Sequence, residues 1–120
     1  MTDSMIELLC DEADQFEIKL IKEERKGAIY PTCRKIHINP DYWGERDETF
    51  IHEMLHFYHG EISCTNLGRN NETVIEMETQ VLMKNPQNRN YVLGYLNRRF
   101  NNKKKTLLRD GGIRDMVVIK

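Results

Sequence analysis

Apolar and polar residues alternate over residues 16–20, where Phe16, Ile18 and Leu20 interleave with Glu17 and Lys19. A period of two predicts a half-buried strand. Upstream, Met5, Ile6, Leu8 and Leu9 predict a short helix over residues 4–13. Downstream, the charged stretch 22–27 reads as a turn, Gly27–Thr32 as a second strand ending near Pro31, and Arg34–Asn39 as a third. In that third strand Ile36 and Ile38 face one side and His37 the other. Asn39, Pro40 and Asp41 then break the pattern. Three short strands in succession suggest an antiparallel meander.

From Asp47 the period becomes helical, with Asp47 as the expected N-cap and Gly60 as the expected stop. Residues 61–70 read as a loop. A second helix is expected over Glu72–Lys84, closing before Pro86, and a third over Asn88–Phe100 with Val92, Leu93, Leu96 and Phe100 inward. The Asn/Lys run 101–105 is expected to be exposed. Met116–Ile119, after Gly111 and Gly112, reads as an edge strand or a loose tail. The fold class expected is α+β: a small antiparallel three-stranded sheet packed on the helix that follows it, then a Glu-bearing helix and a C-terminal helix. One domain spans 1–120, with 101–120 as a basic, mobile tail.

Composition sets limits on this picture. At 120 residues the chain has the size of one modest core, and no apolar run is long enough to span a bilayer. The acidic start lacks a basic segment followed by an apolar stretch, so no secretory signal is expected. Cys10, Cys33 and Cys64 are odd in number and widely spaced, which argues against a disulfide framework and fits the cytoplasm. Residues 87–120 carry nine Lys/Arg against two Asp, a net of +7, and the overall charge of −1 leaves −8 for the rest. That split suggests an acidic partner or nucleic acid for the C-terminal segment, or attraction between the two halves.

The chemistry concentrates in His52-Glu53-Met54-Leu55-His56, an H-E-x-x-H pattern. Two histidines four apart lie one turn apart on one helical face, so both imidazoles reach a single zinc ion. Glu53 sits at the edge of that face, placed to take a proton from a zinc-activated water as general base. With four His and twelve Glu, random placement gives this pattern in about one chain in a hundred, so context must support it. The helical wheel does so. Phe50, Ile51, Met54, Leu55, Phe57 and Tyr58 form an apolar arc, and His52, His56 and His59 gather opposite it.

Catalytic zinc needs a third protein ligand and an open position. The run Asn71–Glu78 supplies Glu72, Glu76 and Glu78. Glu72 and Glu76 lie one turn apart, so one can ligate while the other orients a ligand histidine. Glu72 is favoured, because the stripe Glu72, Ile75, Thr79 and Leu82 would face the His helix. Glu76 ranks next, followed by Glu78 or His59. For His59 the simplest role is closing a helix end. Tyr42, Trp43 and Tyr58 are candidates for holding substrate or an oxyanion, with aromatic packing as their default, and His37 reads as structural.

A short strand (Lys35–Asn39), then Thr49–His56, then a Glu-led helix ending Val81-Leu82-Met83 together resemble the gluzincin peptidases. The nearest likeness is to the ImmA/IrrE group and related small phage or mobile-element metallopeptidases, over residues 35–84. Asn71-Glu72-x-x-x-Glu76 is similar to the thermolysin-type NExxxD, with Glu for Asp. The resemblance implies a zinc metallopeptidase with His52, His56 and Glu72 as ligands and Glu53 as base. It also implies a protein or peptide substrate lying extended against the strand of Ile36 and Ile38. Members of that group are linked to cleavage of DNA-binding repressors. Ile75, Glu78 and Thr79 stand where the group is alanine-rich, and no helix-turn-helix segment is legible. Two alternatives remain: a SprT-like, DNA-associated protease drawn to phosphate by the basic tail, and a zinc-binding interaction domain without turnover.

Overall fold

The structure is a computed structural model that describes residues 2–62 and 72–109, with side chains described up to residue 101. Helix α1 spans Ser4–Ala13, strands β1, β2 and β3 span Glu17–Leu20, Gly27–Tyr30 and Lys35–Ile38, and a 3₁₀ turn covers Pro40–Glu45. Helix α2 spans Arg46–Phe57 and runs into a π-helical turn, Tyr58–Ile62. Helices α3 and α4 span Glu72–Met83 and Pro86–Arg109. The α+β class expected from the chain is the class found.

Helix α1 buries Ile6, Leu9, Cys10 and Ala13, the i, i+3, i+4, i+7 stripe of an amphipathic helix. Asp3 caps it by accepting from the backbone N–H of Met5 at 3.0 Å. Its far end is tied from a distance: Arg99 of α4 donates to the carbonyls of Ala13, the last residue of α1, and of Phe16, just before β1. Asn88, 2% exposed, joins three helices by accepting from the N–H of Asp3 and donating to the carbonyl of Leu82.

The sheet corrects the expected meander. Its strand order is β1-β3-β2, with β1 parallel and β2 antiparallel to β3. The six-residue link 21–26 is long enough to cross one strand, so sequence neighbours β1 and β2 need not be sheet neighbours. Asn39 secures the crossing: 1% exposed, it donates its amide N–H groups to the carbonyls of Glu23 (2.6 Å) and Arg25 (3.0 Å). Its side-chain oxygen also accepts from the N–H of Asp41 and starts the 3₁₀ turn. The residue that reads as a breaker is the peg that holds the loop. The central position suits β3, because Ile36 and Ile38 are fully buried and both backbone edges are paired.

Boundaries of three elements also differ. Strand β3 begins at Lys35 because Arg34 has φ 57°, a left-handed conformation that ends the β2–β3 turn. Its guanidinium lies 5.3 and 5.4 Å from the rings of Phe16 and Phe57, and these cation–π contacts offset the conformational cost. Asp47 is not an N-cap, since α2 begins at Arg46, and Gly60 lies inside the π-helical turn rather than ending a helix. Helix α4 starts at Pro86, capped by Asn85, whose oxygen accepts from the N–H of Gln87. It runs past Phe100 through 101–105 to Arg109, and along it Tyr95 is buried where Leu93 is only half-buried. Of the loop expected over 61–70, residues 61 and 62 belong instead to the π-helical turn, and 63–70, like the segment Met116–Ile119, lie outside the described residues.

Helix α2 packs against α1, α3, α4, β2 and β3. Phe50, Ile51, Met54 and Leu55 are fully buried, each worth about 1.5–3 kcal/mol of burial. The H-E-x-x-H segment therefore rides on the most enclosed helix of the fold. No helix among the described residues is long and apolar enough to cross a membrane.

Candidate metal centre

His52 and His56 emerge from α2 on the face opposite its buried arc, with ring centroids 4.9 Å apart and side chains 17% and 16% exposed. Helix α3 crosses this face. Ile75 and Thr79 are buried against α2, and Thr79 hides its hydroxyl by donating to the carbonyl of Ile75 at 2.8 Å. A small, self-satisfied residue at that position lets the helices approach, and the approach brings the first turn of α3 over the histidines. Glu72 then meets both rings, Oε1 at 2.9 Å from His52 Nε2 and Oε2 at 2.8 Å from His56 Nε2.

One donor atom from each of His52, His56 and Glu72 lies within 4.8 Å of the other two. Two imidazoles and one carboxylate are a donor set of catalytic zinc, whose ligands sit about 2.0–2.2 Å from the ion. The residues present fit that ion. Glu76, one turn along α3, lies with Oε1 3.0 Å from His52 Nδ1. When Nδ1–H donates to this carboxylate, Nε2 presents its lone pair toward the position shared with His56 and Glu72.

Glu76 is itself held. Gln80 donates to Glu76 Oε2 at 2.7 Å and to Glu48 Oε1 at 3.1 Å. Arg89 of α4 donates to Glu48 Oε2 at 3.2 Å and pairs with Asp47 Oδ2 at 3.1 Å. Asp47, expected as a cap, is instead 1% exposed and neutralised from α4. Part of the basic C-terminal excess thus turns inward: Arg89 serves α2, and Arg99 serves α1 and Asp14.

Glu53 is half-buried between α2 and β2. Burial pushes its carboxyl pKa up; His52 and His56 pull it back, Glu72 adds to the rise, and Arg25 opposes it. Close packing of β2 on α2 depends on Gly27. A Cβ there would meet Thr49 Cγ2 at 2.4 Å and the His37 carbonyl oxygen at 2.9 Å. The result is a cleft of about 680 Å³ with β2 as one wall, α2 as its floor and the start of α3 opposite.

Other expected site residues fall elsewhere. His59 pairs with Glu78 at 2.8 Å, so neither belongs to the group formed by His52, His56 and Glu72. Ile36 and Ile38 cannot receive a peptide, because β3 is central and both side chains are fully buried. The strand on the cleft is β2, which among the described residues has β3 as its sole partner. Tyr58 packs on the core and against the His59 ring, away from the cleft. Trp43 packs on Phe100 beneath Arg46, and Tyr42 lies under Lys26, both in packing roles. His37 lies with its ring 4.9 Å from that of Tyr30 and its Nδ1 4.0 Å from Glu23, and it does not line the cleft.

Sequence reasoning missed Arg25, Lys26 and Tyr30, which line the cleft. The first two sat in a stretch that read as a solvated turn. Only Gly27, a glycine leading a strand, signalled that a backbone approaches closely there. Comparison of the chain with protein-family models, with curated proteins and with solved structures finds no match.

Proposed function

We propose that this chain is a zinc-dependent hydrolase that cleaves peptide bonds. The observation that carries the reading is the convergence of His52 Nε2, His56 Nε2 and the Glu72 carboxylate in a cleft that also holds Glu53. His52, His56 and Glu72 would hold a zinc ion, which would supply an acidified water and a Lewis acid for a carbonyl oxygen. Glu53, beside them in the cleft, would take up a proton as general base and return it to the leaving amine. Glu76 keeps the Nδ1 proton of His52 fixed, and so keeps Nε2 available as a ligand. Among the described residues one edge of β2 has no strand partner, and that edge would give an extended peptide a set of backbone partners, which favours a peptide in this cleft.

The His59–Glu78 pair lends no support to a three-histidine site of the SprT type. Two free thiols, Cys10 and Cys33, fit a reducing compartment, and we place the protein in the cytoplasm. The test is Glu53→Gln. The variant should keep about one zinc per chain by elemental analysis and lose at least ~100-fold of wild-type proteolysis. Equal activity in the variant would remove Glu53 from the mechanism.

A further inference from the structure

Seven charged side chains line the cleft besides the two histidines, and six of them have a counterpart or a role there. Lys26 bonds Glu45 at 2.8 Å. Glu48 is held by Arg89 and Gln80, Glu76 by His52 and Gln80, and Glu72 spans the two histidines. Glu53 is the base. The seventh is Arg25, which forms no salt bridge among the described residues, although its charge is felt at Glu53. Its side chain donates from NH2 to the hydroxyl oxygen of Tyr30, at 3.2 Å, and Tyr30 lines the same cleft.

Arg25 is not loosely placed. Its carbonyl accepts from the buried Asn39 amide, and the residue stands two positions before the β2 wall. Because the Tyr30 oxygen accepts from Arg25, its own O–H proton points onward. A guanidinium and a phenol side by side present a fork of donors that matches a carboxylate. Both side chains are exposed at the margin of the cleft, so such a pair acts through its fork geometry and a salt-sensitive attraction rather than through burial.

Resting on the peptidase reading above, we propose that Arg25 and Tyr30 form a specificity subsite for a carboxylate of the substrate. Two sources share that chemistry: an Asp or Glu side chain near the scissile bond, and the C-terminal carboxylate of a short peptide.

The experiment uses the zinc-loaded full chain carrying Glu53→Gln, so that peptides bind without turnover, and reads affinity by fluorescence anisotropy. The probes are peptide pairs differing only in Asp against Asn or Glu against Gln, each with a free or an amidated C-terminus. The subsite predicts about tenfold tighter binding of a carboxylate-bearing peptide than its amide counterpart. That preference should shrink at high salt, vanish in Arg25→Met and reverse toward Lys-bearing peptides in Arg25→Glu, with zinc content unchanged. Loss of the preference on amidation alone assigns the C-terminal source, and persistence in amidated peptides assigns the side chain. Equal binding of acid and amide peptides, or a preference surviving Arg25→Met, overturns the subsite. The wild-type chain is assayed in parallel for cleavage. Absence of cleavage with the binding preference intact sinks the peptidase reading and leaves the carboxylate site standing.

Discussion

The Nδ1 nitrogen of His52 and Oε1 of Glu76 lie 3.0 Å apart, so one ring is gripped from behind by Glu76 while its Nε2 faces Glu72. The two acids share a helix, but Glu72 meets the Nε2 of both His52 and His56 whereas Glu76 meets the Nδ1 of His52. On the proposed zinc reading, Glu72→Ala deletes a ligand, whereas Glu76→Ala frees the orientation of one. Zinc affinity, measured by competition with a chromophoric chelator, should fall by roughly 10–100-fold in Glu76→Ala and by more in Glu72→Ala. The reverse order would reassign the third ligand.

Gly27 sits where β2 touches α2. Gly27→Ala drives a methyl into Thr49 and into a backbone oxygen, an overpacking expected to cost about 1–3 kcal/mol in urea unfolding. Adding Thr49→Ser removes the nearer clash and should recover part of the loss. No recovery would place the strain at the His37 carbonyl.

Asp47 is almost fully buried and Arg89 is its cation. Arg89→Ala leaves an uncompensated carboxylate beneath α2, with an expected loss on the order of 2–4 kcal/mol, tempered because the Arg89 side chain is 40% exposed. Asp47→Ala combined with Arg89→Ala should cost less than the sum of the singles. Additive losses in that cycle would show that the two charges do not interact.

Burial, with Asp11 and Asp14 adding to it and Arg98 opposing, pushes the Cys10 thiol from an ordinary 9.0 up to about 12. The folded chain holds this proton more tightly than the unfolded chain does. The resulting stability is complete below pH 9 and is lost as pH rises toward 12. Denaturation at pH 8 and pH 10.5 should show a decline that Cys10→Ala reduces. Iodoacetamide at pH 8 should label exposed Cys33 in the native chain but leave Cys10 unmodified until urea is added, as read by mass spectrometry. Native labelling of Cys10 would contradict its burial.

Much of α2 was legible before any tertiary contact was known. Phe50, Ile51, Met54 and Leu55 are buried and His52 and His56 face the cleft, as the wheel requires. Glu72 was also reachable, because a stripe through Ile75, Thr79 and Leu82 has one inner end. Asp47 and Asn39 were misread for a shared reason. Each is a residue type common at caps and turns, and each here serves a partner distant in sequence: Arg89 for Asp47, the carbonyls of Glu23 and Arg25 for Asn39.

The chain by itself determined the spacing of His52, Glu53 and His56 on one helical face, because a turn of 3.6 residues is a local property that any stretch of helix carries with it. It equally determined which sides of α1, β1 and α2 seek the core. Periodicity encodes faces but not partners. That β3 lies between β1 and β2, that Ile36 and Ile38 are core rather than cleft, and that Arg25 reaches the cavity were decided only when strands paired across the sheet and α3 closed over α2. Those choices rest on burial and hydrogen-bond satisfaction summed over elements far apart in the chain. The H-E-x-x-H helix is local, and the cleft around it is not.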